Sequence, residues 1–196
     1  AHRKGWLIRI NTVAGGINAA AVGVNAQALQ NNSTAIGANA LVQGIDGTAI
    51  GMNSRVTQAR GTAVGFDARA ANFATAVGNA SRASIVRATA VGSTANASRI
   101  DSTALGSASV AAFDRSTAVG FGATTTRVDQ VTLGGAGSSV RVADIAASNA
   151  VQVGAEQVVT IDSAGTLGTS EVASVASVAN VRVSVDYLAA VTDAQF

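Results

Sequence analysis

His2 is the only histidine in a chain of 196 residues, and there is no cysteine. Nucleophilic and metal chemistry usually draws on an imidazole or a thiolate. A Ser-His-Asp triad, thiolate catalysis, disulfides and Cys- or His-built metal sites are therefore set aside together. The acids are single and scattered, with no pair placed by motif for glycoside hydrolysis. Gly134-Gly135-Ala136-Gly137-Ser138-Ser139 has the small-residue density of a phosphate loop. It lacks the lysine of such a loop, since Lys4 is the only lysine in the chain, and it lacks the third glycine of a dinucleotide fingerprint. The run reads as a backbone crossover. The Asn-x-Ser triplets at Asn31, Asn79 and Asn96 read as exposed polar turns. These residues point to a protein that is not an enzyme and takes no cofactor and no metal.

Charge and small side chains are what remain. The formal net charge is +2, unevenly spread. Residues 1–16 carry +3, residues 17–130 carry eight Arg against five Asp, and residues 131–196 carry two Arg against six acids. That is not the dense basic patch of a nucleic-acid binder. The arginines of the middle segment have two readings: attraction of acidic glycans, anionic surfaces or acidic proteins, or plain solubility and protection of sheet rims. There is no proline, and there are one Trp, one Tyr and five Phe. A core without large side chains gains little per residue. Stability must then come from a very regular backbone or from partner chains. No apolar run reaches the roughly 18 residues of a membrane span, so no membrane contact is expected. Residues 1–10 do not read as a signal peptide. Trp6 beside Leu7, Ile8 and Ile10 reads either as a binding tip or as the cap of the first structural unit.

The elements that hold these residues are set by a repeat. A Thr-Ala-aliphatic-Gly unit recurs at Thr34–Gly37, Thr48–Gly51, Thr62–Gly65, Thr75–Gly78, Thr89–Gly92, Thr103–Gly106 and Thr117–Gly120, with variants at Ala20–Gly23 and Val131–Gly134. Seven of the eight intervals between closing glycines are 14 residues and one, Gly65 to Gly78, is 13. The missing residue reads as a tolerated deletion in the unit's outer turn. Three and five residues after each glycine the side chain is small or Val, as at Ala40 and Val42 or Ser54 and Val56. The position between is free: Gln27, Leu41, Arg55, Arg69, Arg82, Asn96, Val110, Thr124. Alternation at period two is a half-buried strand. Each unit thus predicts two short strands and two turns, one coil of a narrow solenoid. Stacked at about 4.8 Å, eight intervals span on the order of 38 Å.

So thin an interior admits only Ala, Ser and Val, and buries too little by itself. The aliphatic ladder Val22, Ile36, Ile50, Val64, Val77, Val91, Leu105, Val119 and Leu133 needs cover. One ladder must fill the roll and another must pack on copies of the chain; periodicity leaves open which does which. The threonines one position before the central Ala form their own ladder. Their pairing with the aliphatic ladder points to burial rather than to an ice-binding face.

Asn32-Ser33-Thr34-Ala35-Ile36-Gly37 resembles the head repeat of YadA-type trimeric autotransporter adhesins, with Thr where the family has Val. The resemblance covers about residues 20–134. It implies an all-β, left-handed parallel β-roll of 14-residue repeats assembled as a homotrimer. Val131–Ser139 followed by Arg141–Ser148 resembles the family's neck, with Gly134, Arg141, Asp144 and Ile145 as its marker residues; Asp144 and Ser148 stand where the family usually has Asn and Gly. The implied organisation is a cap over residues 1–19, a head over 20–130, a neck over 131–150, a β-type connector over 151–170 and the start of a stalk over 171–196. In that last segment Val178, Val181, Val185 and Leu188 have the spacing of a short coiled-coil seam.

The resemblance implies an adhesin on the surface of a Gram-negative bacterium, held in the outer membrane by a C-terminal domain outside this chain. Its partners would be extracellular matrix proteins, host cells or abiotic surfaces. Asn32–Gly37 would be the candidate ligand-binding stretch, because related heads use small-residue repeats to bind collagen. Two alternatives stand beside it: a spacer in a surface fibre with no ligand of its own, and an ice-binding solenoid.

Overall fold

The computed structural model describes residues 11–141, 157–163, 165–171 and 182. The chain divides into one unit over residues 1–141 and another over residues 142–196.

The first unit is a parallel β-solenoid. Two-residue strands at Val13–Ala14, Gln27–Ala28, Leu41–Val42, Arg55–Val56, Arg69–Ala70, Arg82–Ala83, Asn96–Ala97 and Val110–Ala111 form an eight-stranded sheet, the short-strand sheet. Three-residue strands at Ala20–Val22, Thr34–Ile36, Thr48–Ile50, Thr62–Val64, Thr75–Val77, Thr89–Val91, Thr103–Leu105, Thr117–Val119 and Val131–Leu133 form a nine-stranded one, the long-strand sheet. Register is strict from coil to coil, as in Thr34↔Thr48 and Ala35↔Ala49. Backbone bonds of about one length tie the coils together, for example Thr34 N–H to the Gly47 carbonyl at 2.9 Å and Leu41 N–H to the Ser54 carbonyl at 2.9 Å.

The core lies between the two sheets, and it resolves which ladder fills the roll. The central Ala of the seven inner long strands (Ala35, Ala49, Ala63, Ala76, Ala90, Ala104, Ala118) faces inward and is fully buried. Opposite it lie the inward positions of the short-strand side, Ala26 and Ala28 through Ala123 and Thr125, of which Val42 and Val56 are the largest aliphatics. The aliphatic ladder is outside this core. The threonines are outside it too, half-buried on the outer face rather than packed within. Alternation permits nothing else: in a three-residue strand the first and third side chains share one side and the second takes the other.

Serines enter the core without an unpaired hydroxyl. Ser54, Ser81 and Ser109 each donate to the carbonyl three residues back, at Gly51, Gly78 and Gly106, over 2.8–3.0 Å. Ser and Ala thus fill the same space at the turn exits. The buried hydroxyl of Thr132 and the side-chain oxygen of Asn72 have no partner.

Two turns close every coil. The glycine turn follows the long strand, and its Gly holds φ between +117° and +135° from Gly23 to Gly120. Side chains rarely adopt that conformation. The space is also missing: a Cβ on Gly51 would lie 2.4 Å from the Gly65 carbonyl oxygen of the next coil. Both turns place their third residue in the left-handed region at φ near +55°. Asn and Asp take many of these positions because they tolerate that region at least cost. The 13-residue coil loses its residue in the second turn, between Ala71 and Ala74, where Phe73 takes the left-handed position.

In the second unit, Gln157–Ile161 and Leu167–Glu171 form an antiparallel hairpin. Its turn is closed by the Asp162 carboxylate, which accepts a bond from the Thr166 N–H at 2.8 Å. The expected coiled-coil seam lies outside the described residues, and so does the Trp6 cluster.

Candidate functional site

The roll presents three surfaces, each a ladder repeated once per coil. The first is the outer face of the long-strand sheet. It carries two rows, one of threonine at seven successive strands and one of Val, Ile or Leu at nine. No charged residue occurs in either row. Ile36 is 39% exposed, Val22 47% and Leu133 55%, so the single chain leaves this face open.

The second surface is the row of left-handed residues at the second turn. Asn18, Asn32 and Asp46 are linked by side-chain bonds of 3.0–3.2 Å across coils. The row then alternates in sign. Arg60 pairs with Asp46 at 3.5 Å, Arg87 grips Asp101 with two N–H groups, and Arg115 grips Asp129 in the same way. Arg60 also lies over the ring of Phe73, 5.2 Å from its centroid. The guanidinium of Arg87, by hydrogen bond and by charge, holds the Asp101 carboxyl below the ordinary carboxylate range; Arg115 does the same to Asp129. Arg87 and Arg115 are raised in turn, chiefly by those hydrogen bonds. Arginine in the left-handed region is costly, and each of these arginines meets an aspartate of the neighbouring coil there. The sequence carries a signal for this row, since opposite charges recur at the coil period, although the small-residue repeat does not reveal it.

The third surface is the outer face of the short-strand sheet, one outward side chain per coil. Arg55, Arg69 and Arg82 are in direct register on three consecutive strands and are exposed. Asp67 pairs with Arg69 at 2.9 Å.

The stretch Asn32–Gly37 does not present one continuous surface. Ser33 and Ala35 are fully buried, Asn32 is exposed on the second turn, and Thr34 and Ile36 lie on the uncharged face. Of the neck residues, Gly134 adopts φ +79° and Arg141 is exposed; Asp144 and Ile145 lie outside the described residues. The glycine run after Leu133 forms a turn, with Ser138 N–H bonded to the Gly135 carbonyl at 3.0 Å. Among the described residues, no three His, Cys, Asp or Glu side chains gather as a metal ion would need.

Comparison with known proteins agrees with this geometry. Residues 14–40, 43–68, 71–95, 86–109 and 97–123 match the YadA head domain repeat. The crystal structure of the collagen-binding domain of the Yersinia adhesin YadA superposes with a TM-score of 0.53 at 22% identity, covering 79% of this chain and 83% of that one. At that identity the likeness establishes the fold. Comparison with curated proteins finds no match. Repeat copies over more than half of its length, folded into the solenoid just described, place this chain in the family of YadA head domain repeats.

Proposed function

We propose that this chain is the head of a bacterial surface adhesin, that it works as a homotrimer, and that it attaches to extracellular matrix proteins or other surfaces without catalysing a reaction. The observation that carries the reading is the uncharged outer face of the long-strand sheet. It is a regular strip of aliphatic and threonine side chains nine strands long, left open by the single chain. A buried alanine methyl contributes only about 0.8 kcal/mol, against roughly 1.5 kcal/mol for ordering each residue. A core of Ala and Ser therefore needs further apolar burial, and this strip is where the chain offers it. Three copies joined through it would direct their arginine-bearing faces outward.

Membership of the head-repeat family supports the adhesin role, and the Yersinia domain is described as collagen-binding. We carry collagen over to this chain as its first candidate ligand. Within Asn32–Gly37, Asn32 is the position free to touch it, because Ser33 and Ala35 are buried and Ile36 belongs to the joining face. The left-handed sense of the roll, the neck over residues 131–150, the stalk after residue 171 and an outer-membrane anchor beyond the chain belong to the same proposal. The ice-binding alternative loses ground because the threonines share their face with a continuous aliphatic row.

Light scattering on the purified chain, with solid-phase binding to collagen, fibronectin and laminin, tests the proposal. A trimer mass and saturable binding to one of the three are expected. A stable monomer would sink the assembly, and a trimer that binds none of them would favour the spacer.

A further inference from the structure

Elsewhere on this roll, charges stacked at the coil period alternate in sign. Asp46 meets Arg60, and Arg87, Asp101, Arg115 and Asp129 follow one another as plus, minus, plus and minus. Arg55, Arg69 and Arg82 break that rule. They are three like charges in direct register on adjacent strands, about 4.8 Å apart and about 10 Å from first to last. Like charges directly opposite one another destabilise a sheet. The nearby turns relieve little of this, because Asp67 is the only acid on this sheet and its glycine turns and it engages Arg69 alone. Among the described residues, Arg55 and Arg82 have no carboxylate partner. The outward positions on either side are Gln27, Leu41, Asn96, Val110 and Thr124, all uncharged. Three arginines against one aspartate leave this face at +2 per chain, while the acids Asp46, Asp101, Asp114 and Asp129 all lie along the second turn.

From this we infer that the Arg55–Arg69–Arg82 row is a binding site for a linear sulfated polysaccharide lying along the solenoid axis. The planar guanidinium fork matches the oxygens of a sulfate or carboxylate group and accepts two parallel bonds. A row one residue wide suits a single extended polyanion. The row itself carries no aromatic platform for stacking the bases of single-stranded nucleic acid; the exposed Phe66 and Phe73 stand in the turns beside it. The row also lacks the cluster of four to eight basic residues that an anionic membrane recruits. The inference leans on the adhesin reading only for the outward display of this face; matrix-protein binding and glycan binding are separate readouts, and either can fail alone.

Immobilised heparin is the probe, with the full 196-residue chain as analyte. Arg55→Gln with Arg82→Gln is expected to lower affinity about tenfold or more, since two charge-assisted contacts are lost. Arg99→Gln with Arg127→Gln, both in the second turn rather than in the sheet row, removes the same charge outside the row and is expected to change affinity less than about twofold. Chemically desulfated heparin on the unaltered protein gives a second test that does not depend on how the variants fold, and binding should be lost there as well. Equal losses in the two double variants, undiminished binding to the desulfated polymer, or single-stranded DNA competing as well as heparin would each overturn the assignment.

Discussion

The two sheets of the roll share their interior and differ in everything they turn outward. Inside, both contribute Ala with occasional Ser or Val, at the same register and the same near-zero exposure. Outside, the long-strand sheet shows Thr and an aliphatic residue on strand after strand. The short-strand sheet shows Gln, Leu, three Arg, Asn, Val and Thr in turn. The contrast follows from what each side must fit. A space one methyl deep constrains both interiors equally. A repeated uncharged strip suits the meeting with another regular surface proposed above. A position that changes from coil to coil is under no such constraint, and three consecutive coils nonetheless share arginine there.

That contrast is most readily broken by acids. Ile50→Glu with Leu105→Glu places two charges per chain in the strip we assign to the trimer. Each costs several kcal/mol when buried unpaired, so sedimentation should show dissociated or unfolded chains. The matched pair Leu41→Glu and Val110→Glu on the opposite sheet should leave the mass unchanged. If both pairs behave alike, the two faces are not distinct.

The next largest effect concerns the turn that both sheets share. Gly92→Ala demands φ +133° of an alanine and puts its Cβ 2.5 Å from the Gly106 backbone. A loss of about 3 kcal/mol is expected from strain and displacement together, read from the denaturation midpoint.

A smaller effect separates the alternating row from the like-charged one. The folded-state acidities of Asp101 and Asp129 are depressed by their arginines. Their contribution is therefore present above the unfolded carboxylate pKa and is lost as pH falls through the folded value. Asp101→Asn with Asp129→Asn should melt slightly below the parent at neutral pH and together with it in acid. A gap that persists in acid would assign the effect to something other than charge. Both pairs are exposed, so the gap will also shrink with salt.

The smallest effect is a gain. Ala80 and Ala108 hold left-handed φ in the glycine turn, where coils 14 residues apart earlier in the roll use Asn25, Asn39 and Asn53. Ala80→Asn and Ala108→Asn should each add about 0.5–1 kcal/mol, since Asn adopts that region more cheaply.

Much of this was legible before any coordinates. Glycines at a period of 14 placed the coil closures, and the structure puts each from Gly23 to Gly120 at positive φ. The small residues three and five positions after each glycine marked the short strands. The 13-residue interval implies a shortened outer turn, and the shortened turn is the second one, at Asn72 and Phe73. The candidate site was less legible. Asn32–Gly37 is one stretch in the chain, yet it divides among a turn, the core and the outer strip, because neighbours in a strand point to opposite sides. Counting the arginines does not align them, since alignment across coils is a property of the stack.

By itself the sequence determined the period, the strand and turn positions and the size of side chain the interior admits. Those depend on local alternation and on φ values that only certain residues take. Only the tertiary structure decided that the central Ala row fills the roll while the aliphatic row stays outside, and that Asp and Arg alternate on one edge while Arg repeats on the other face. Both follow from the stacking of coils, which brings residues 13 or 14 apart in the chain into direct contact and gives each ladder a single direction in which to point.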